Sequence, residues 1–481
     1  MNAFRTFTLT TVAAAALALS ACAVGPDYQK PELPAAHADI ETSLYDSAEP
    51  SAAFWSVFGD AELDALETRA LSANHDLRIA LANLNQARAL RRETVFDYLP
   101  TVTAAAGYTK AKQSRDQAPG FDRDARTTEL YDAGFDAVWE LDLFGRVRRE
   151  NEASRANEEA LTADLHGAQI SVAAEVARTY FELRGAQARY AVAQGNADNQ
   201  LGTLQYTEAR LKYGRGTEFD EQRARAQLAS TRARVPDQQI AISNAMHRLA
   251  VLCGLEPEAL KGELSAAGDM PALPRLVRIG QPDDLLRRRP DVASAERRLA
   301  AATAGIGIAA ADYFPRVSFS GEVGYSVAHP GSVGDSGSGT YAFGPSISWA
   351  AFDLGRVHAR VQQHRAQADA ALARYQQSVL RALEETSNTL SAYGYNRRKL
   401  DLLDESVQAS DRAVQLARVR FEAGAADFID VLDAERNQLD AEDQLAQART
   451  QTATSLVALY KSLGGGWNAD APATTAVSLK D

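Results

Sequence analysis

Residues Tyr131–Arg146 read YDAGFDAVWELDLFGR. Up to Leu141 the stretch alternates: Tyr131, Ala133, Phe135, Ala137, Trp139 and Leu141 are apolar, against Asp132, Gly134, Asp136 and Glu140. A period of two sends successive side chains to opposite faces, so this is a strand with one apolar and one acidic or small-residue face. Its end, WELDLFGR at Trp139–Arg146, returns as WAAFDLGR at Trp349–Arg356, an offset of 210. The same offset carries Gly214 to Gly424, Asp220 to Asp430 and Gly254 to Gly464. Upstream, DYLPTV from Asp97 recurs as DYFPRV from Asp312, offset by 215. The five-residue difference falls in a polar loop, where length is free to vary. Two copies of about 200 residues mean one architecture used twice.

Three further segments alternate. Val102, Ala104, Ala106 and Tyr108 are set against Thr101, Thr103, Ala105 and Gly107. Val317, Phe319, Val323 and Tyr325 face away from Ser318, Ser320, Glu322 and Gly324. Tyr341, Phe343, Ile347 and Trp349 oppose Gly344, Ser346 and Ser348. Strands are expected at about 99–109, 129–142, 314–326 and 340–353, near the ~9–11 residues of a membrane strand. A half-buried sheet in a soluble domain gives the same alternation. The aromatic ends (Tyr108, Tyr131, Trp139; Tyr325, Tyr341, Trp349) favour a barrel with interfacial girdles. Asp132, Asp136, Glu140 and Glu322 then line a wet lumen, and the polar loops Lys110–Thr128 and Ser326–Gly339 suit its outer side. Four strands are too few, since barrels start at about eight. Two copies would give a filled interior; three give twelve strands and a channel, which the acidic, small-residue face favours.

Each strand pair is followed by a proline-free helical stretch. Val147–Tyr213 would span roughly 100 Å at 1.5 Å per residue, too long for a globular domain. Its apolar seam repeats every seven positions at Val176, Leu183, Tyr190, Ala197, Leu204 and Leu211. The offset of 210 gives Thr386, Tyr393, Leu400, Val407, Val414 and Phe421, in phase and with one polar member. That is a coiled-coil pattern. Long helices are expected over 146–213 and 356–423. Glycine-containing breaks follow, KYGRGTEFD from Lys212 and FEAGAADFID from Phe421, so tips are placed at 214–218 and 424–428. Apolar periodicity then resumes through Leu228 and Leu249, and through Leu432, Leu439 and Leu445, as returning helices.

The chain has 481 residues and a net charge of −12, which argues against phosphate backbones or anionic lipid surfaces as partners. Outside the N-terminus no run approaches ~20 apolar residues, so any membrane crossing must use strands. Arg5, the apolar Phe7–Leu19 and the small residues after it form a secretory signal. It ends Leu19-Ser20-Ala21-Cys22 and resembles the bacterial lipoprotein signal. That resemblance implies loss of residues 1–21, with Cys22 becoming an N-palmitoyl, S-diacylglycerol cysteine. Ala23 after it fits export to the outer membrane. An ordinary signal peptide with a nearby cysteine is the alternative. Cys253 cannot pair with an acylated Cys22 and reads as a buried free thiol.

Four longer motifs carry a resemblance covering nearly the whole mature chain. They are CAVGPDYQKPELP from Cys22, FWSVFGDAELDALETRAL from Phe54, LLRRRPDVASAERRLAAA from Leu285 and RFEAGAADFIDVLDAERNQL from Arg420. With the strand pairs, long helices and tips, the chain resembles the outer-membrane factors of tripartite efflux systems, the TolC and OprM type with NodT-like members. This implies a mixed α/β membrane protein: a trimeric twelve-stranded outer-membrane β-barrel, four strands per chain, continued by a long α-helical coiled-coil barrel in the periplasm. It implies a collar of residues 22–60, the linker 256–284 and the tail 466–481, between repeats 61–255 and 285–465. Implied partners are two further copies, a periplasmic membrane-fusion adaptor, an inner-membrane RND-type transporter reached through it, and outer-membrane lipid.

Asp430 and Asp433 lie three apart just inside a returning helix and share a face. The resemblance implies that they ring the periplasmic aperture, where threefold repetition gives two rings of carboxylates favouring cations. Helix capping and dipole pairing are the alternative role. Phe421 and Ala426 depart from the family's pattern, standing where TolC-like proteins carry the Tyr and Arg of a lock. Arg215, Glu218, Asp220 and Glu221 offer other partners. The resemblance also implies adaptor docking at the tips, with Arg210, Tyr213, Gly214, Phe421 and Gly424 as candidates.

Other signals point nowhere. Gly305 and Gly307 lie in a helical run entering a strand, the reverse of a dinucleotide fingerprint. The seven histidines are scattered, with no H-E-x-x-H or C-x-x-C. No G-x-x-x-x-G-K-[ST] loop is present to bind nucleotide. Arg287–Arg289 before Pro290 read as helix-start surface. No enzyme, metal site or cofactor is expected. The function expected is a passive duct exporting small amphiphilic compounds; a type I protein-secretion duct and a non-conducting periplasm-spanning lipoprotein are the alternatives.

Overall fold

The computed structural model describes residues 23–32, 44–49, 51, 53–281 and 285–465. Cys22, the signal segment and the tail after 465 lie outside the described residues. After the short β1 (Tyr45–Asp46) and a 3-10 turn at Phe54–Phe58 come α1 (Ala61–Ala73), α2 (His75–Phe96), β2 (Thr101–Lys112), β3 (Thr127–Leu141), α3 (Arg146–Lys212) and α4 (Glu218–Leu252). A linker carrying α5 (Lys261–Leu264), β4 (Val277–Arg278) and α6 (Leu285–Arg288) leads into the second copy. That copy is α7 (Pro290–Ala311), β5 (Arg316–Val327), β6 (Gly339–Ser348), α8 (Leu354–Glu422) and α9 (Phe428–Ser462). α2 maps onto α7 and β2 onto β5 at 215, and α4 onto α9 at 210, at both ends. The sequence repeats are not the compact units. Among the described residues one unit takes 23–31, 83–161 and 294–376 and the other takes those remaining up to 465, so each draws on both repeats.

The first unit holds a four-stranded sheet in the order β2-β3-β5-β6, antiparallel throughout. Its odd-numbered β3 residues and their partners form the apolar face, with Phe135, Val323, Tyr341, Phe343 and Ile347 all more than half exposed. No described helix is long and apolar enough to cross a membrane. The last strand stops at Ser348, short of the expected 353. There the chain turns, with Asp353 N–H bonding Ala350 O and Arg356 N–H bonding Asp353 O. Trp349 therefore stands just past the strand, its indole Nε1 donating to Tyr313 O at 3.0 Å. Trp139 does the same to Tyr98 O at 3.0 Å. The DY-x-P and Trp motifs, repeated at different offsets, are thus one structural device, tying the strand entrance to its exit.

The N-terminal strap, residues 23–32, is fastened to this unit. Val24 N–H bonds Phe144 O at 3.1 Å. Arg149, almost fully buried, donates to Val24 O and Gly25 O and pairs with Asp27 at 2.6 Å. Tyr28 hydrogen-bonds Glu296, and Arg297 lies over its ring at 5.4 Å.

The second unit holds the helical hairpins together with the short elements of the N-terminal segment and the linker. None of the twelve heptad positions is fully exposed, and Val176, Leu183 and Tyr393 are almost wholly buried. Its hydrophobic core gathers Phe54, Phe58, Leu63 and Leu66 with Tyr180, Phe181, Leu249 and Leu456. β1 pairs in parallel with β4, joining the N-terminal segment to the linker. Cys253 is a free, buried thiol, and burial raises its pKa to about 11. Glu67 is fully buried with neither carboxyl oxygen hydrogen-bonded; burial, then Asp64, pushes it up to about 9. Arg289 corrects the surface expectation. It is only 8% exposed, pairs with Asp291 at 2.9 Å and Glu385 at 2.6 Å, and donates to Ser462 O. An unpaired guanidinium could not be buried there, and two of the three partners, Glu385 and Ser462, lie far off in sequence.

Candidate functional site

The sheet brings the four predicted lumen acids onto one face. Asp136 stands opposite Glu322, Asp132 opposite Ser326 and Glu140 opposite Ser318. Thr103 donates to Asp136 at 2.5 Å and Ser326 to Asp132 at 2.8 Å. Glu140 differs: Arg146 grips it with two bonds of 2.9 Å, so its charge is spent at the start of α3. Between the acids, Gly134 and Gly324 meet backbone to backbone; a Cβ on Gly134 would sit 2.7 Å from Val323 O. Side chains are excluded from that row, which leaves the acidic face open.

At the other end of the helices the two tips share a backbone solution. Arg215 N–H bonds Arg210 O, and Gly214 N–H bonds Leu211 O. Ala425 N–H to Arg420 O and Gly424 N–H to Phe421 O repeat this 210 residues on. Both are Schellman stops, with Gly214 at φ 67° and Gly424 at φ 73°, a region closed to most L-residues. Each tip is braced by its own arginine: Arg210 donates to Arg215 O at 3.0 Å and Arg420 to Ala425 O at 3.4 Å.

The side chains break this symmetry. Phe421, where the first copy has Leu211, lies under the Arg210 guanidinium at 4.7 Å and against Phe428 at 5.4 Å. Tyr206 completes the group at 6.0 Å. A cleft of about 570 Å³ opens between the tips, lined by Arg210, Phe219, Asp220, Arg223, Phe421 and Phe428. The structure thus brings Arg210 and Phe421 together, while Tyr213 projects 75% exposed. Asp430 occupies the first turn of α9 and Asp433 the next, both exposed. Among the described residues neither carboxylate has an ion-pair partner.

One element near the tips was not foreseen. Glu435, 2% exposed, accepts from Arg418 at 2.8 Å and Thr203 at 3.0 Å, and its Oε2 is buried without a partner. The equivalent pair in the first copy is Arg225 with Glu208 at 3.4 Å, charges exchanged and both exposed. Laying the repeats at 210 shows that exchange; only the fold shows the burial. The hairpins are held side by side by Arg189–Asp443 at 2.7 Å, Arg234–Asp440 at 3.1 Å and Asn196–Glu442 at 2.7 Å. Among the described residues no cluster of three or more His, Cys, Asp or Glu could hold a metal ion.

Comparison with known proteins places this architecture. The family model described as outer membrane efflux protein matches residues 66–255 and 281–465. OprJ, an outer membrane protein of Pseudomonas aeruginosa, is 32% identical over 94% of this chain and 95% of its own length. SrpC of Pseudomonas putida, a solvent efflux pump outer membrane protein, is 31% identical over 94% of this chain and 97% of its own. The solved outer-membrane channel OprN superposes with a TM-score of 0.88 at 46% identity, covering 93% of this chain and all of that one. The chain belongs to the outer membrane efflux protein family, and it is the outer-membrane channel component of a tripartite efflux pump.

Proposed function

We propose that three copies of this chain form a passive conduit, closing a twelve-stranded barrel in the outer membrane and continuing it as a coiled-coil tunnel of twelve helices. The observation that carries this is the four-stranded sheet. It has two unpaired edges, one exposed apolar face and one acidic face. In lipid an open edge leaves backbone groups unsatisfied, so the sheet must be closed by further copies. Twelve strands enclose water, with Asp132, Asp136 and Glu322 facing it. Cys22 supplies a second, acyl anchor at the N-terminus, in the bilayer that the barrel already spans.

In this reading Asp430 and Asp433, without ion-pair partners among the described residues, converge at the periplasmic aperture and make it narrow and cation-selective. The tips, with Arg210, Tyr213, Gly214, Phe421 and Gly424, receive a periplasmic adaptor that links the duct to an inner-membrane transporter of the RND type. The cargo class is small amphiphilic compounds, in keeping with a relative named for solvent efflux. The duct performs no catalysis, and energy comes from the transporter.

Reconstitution in planar bilayers tests the reading. Expected are small, cation-preferring steps that grow in Asp430→Ala/Asp433→Ala. No conductance from either protein would overturn it. A deletion strain should become sensitive to solvents, dyes and hydrophobic antibiotics.

A further inference from the structure

Within the chain the first β-hairpin is joined to the second through β3 and β5. We infer that β6 is joined to β2 of a neighbouring copy in the register the repeat dictates, with Ser346 opposite that copy's Gly107 and Ile347 opposite its Ala106. The inference rests on the trimeric barrel proposed above and adds which residues form its seams.

The two hairpins are the same object twice. β2 maps onto β5 at 215, and β3 onto β6 at 210. The pair Thr103↔Asp136 becomes Ser318↔Ser346, which is the pairing observed. A barrel closed by rotating one repeated unit must use the same joint at every seam. The in-chain joint pairs Asp136 with Glu322 and Ala137 with Gly321. Carrying β3 forward by 210 and β5 back by 215 gives Ser346 with Gly107 and Ile347 with Ala106.

Two features agree. Ser346 and Gly107 both belong to the polar face, Ile347 and Ala106 both to the apolar one. A slip of one residue would turn apolar side chains into the lumen. The junction below the strands carries over as well. Phe144 stacks on Phe314 at 4.6 Å within the chain; the transferred pair is Leu354 with Leu99, apolar residues left 38% and 57% exposed.

Cysteine pairs test the register in the full-length protein carrying Cys253→Ala. β2 and β6 are opposite edges of the sheet, about 14 Å apart at ~4.8 Å per strand. That exceeds disulfide reach, so a bond between them must join two copies. Antiparallel neighbours alternate between two ladder geometries, so both Ser346→Cys/Gly107→Cys and Ile347→Cys/Ala106→Cys are made. The in-chain counterparts Asp136→Cys/Glu322→Cys and Ala137→Cys/Gly321→Cys show which geometry closes a bond. Mild oxidation is expected to give reducible, covalently joined dimers and trimers from the seam pair whose counterpart closes. Pairs slipped by two residues, Ser346→Cys with Ala105→Cys or Thr109→Cys, should give several-fold less. A slipped pair that cross-links better, in a protein whose unoxidised mass in detergent is that of a trimer, overturns the register and leaves the trimer standing. A monomeric mass overturns both.

Discussion

The two helical hairpins share a backbone and differ in what their first turns do with charge. In the first, Thr217 caps α4 by accepting from Asp220 N–H, and its hydroxyl donates to Asp220 at 2.7 Å. Glu221 is tied to Arg225 at 2.6 Å. In the second, Asp427 stands at the same place with no side-chain cap bond, and among the described residues Asp430 and Asp433 have no ion-pair partner. Arg223 of the first hairpin is replaced by Asp433 in the second. Duplication therefore preserved the stops and turns, which depend on glycine, and released the acids of one tip from local work. Side chains that satisfy nothing in their own subunit are available to act between subunits.

The largest effect should come from removing that asymmetry. Asp430→Ala/Asp433→Ala is expected to raise single-channel conductance several-fold and to weaken cation preference. Asp220→Ala, at the position equivalent to Asp430, should leave both near the starting value because its carboxylate is already engaged. Planar-bilayer recordings of the three proteins decide the matter. Equal effects from Asp220→Ala and the double variant would show that the tips are functionally equivalent.

The exchanged ion pairs sharpen the comparison in stability. Arg418→Ala leaves the Glu435 carboxylate buried with only Thr203 to bond it. Breaking a fully buried pair costs about 3–5 kcal/mol; with Arg418 half exposed, roughly 2–3 kcal/mol is expected. Arg225→Ala removes two pairs, to Glu208 and Glu221, made by a half-exposed guanidinium, and should cost about 1 kcal/mol. Urea unfolding of the detergent-solubilised variants measures both. A larger loss from Arg225→Ala would reverse the ranking that burial dictates.

Much of this was legible in the sequence because it depends on local chemistry. Alternation in Tyr131–Leu141 places the strand and its faces, and the glycines place the tips to within a residue or two. The heptad positions are all buried or half-buried. What could not be read depends on pairing at a distance. Arg289 looks like surface in RRRPD, yet besides the neighbouring Asp291 its acceptors lie 96 and 173 residues away at Glu385 and Ser462. Glu140 alternates like a lumen acid, but Arg146 six residues on claims it. Glu435 repeats as an arginine, and only packing against Thr203 and Arg418 makes it a buried acid. The compact units cut across the repeats for the same reason: α3 and α8 are each long enough to run through both, so sequence similarity and spatial clustering divide the chain differently.

The smallest effects test what the hairpins have in common and where the sharing ends. Gly214→Ala and Gly424→Ala each force a Cβ into the left-handed region, costing about 1–2 kcal/mol. The two losses should match, since both glycines have open space around them and differ by only a few degrees in φ. A distinctly larger loss at Gly424 would mean that the second tip is packed against something the single chain does not contain. The caps should then part company. Thr217→Ala removes a bond to an orphan helix N–H and should cost about 1 kcal/mol. Asp427→Ala removes only a charge near the helix end, so a few tenths of a kcal/mol is expected, fading as salt screens the dipole. Urea midpoints of the pair at low and high salt measure this, and a salt-independent loss of Thr217 size at Asp427 would show that Asp427 caps α9 after all.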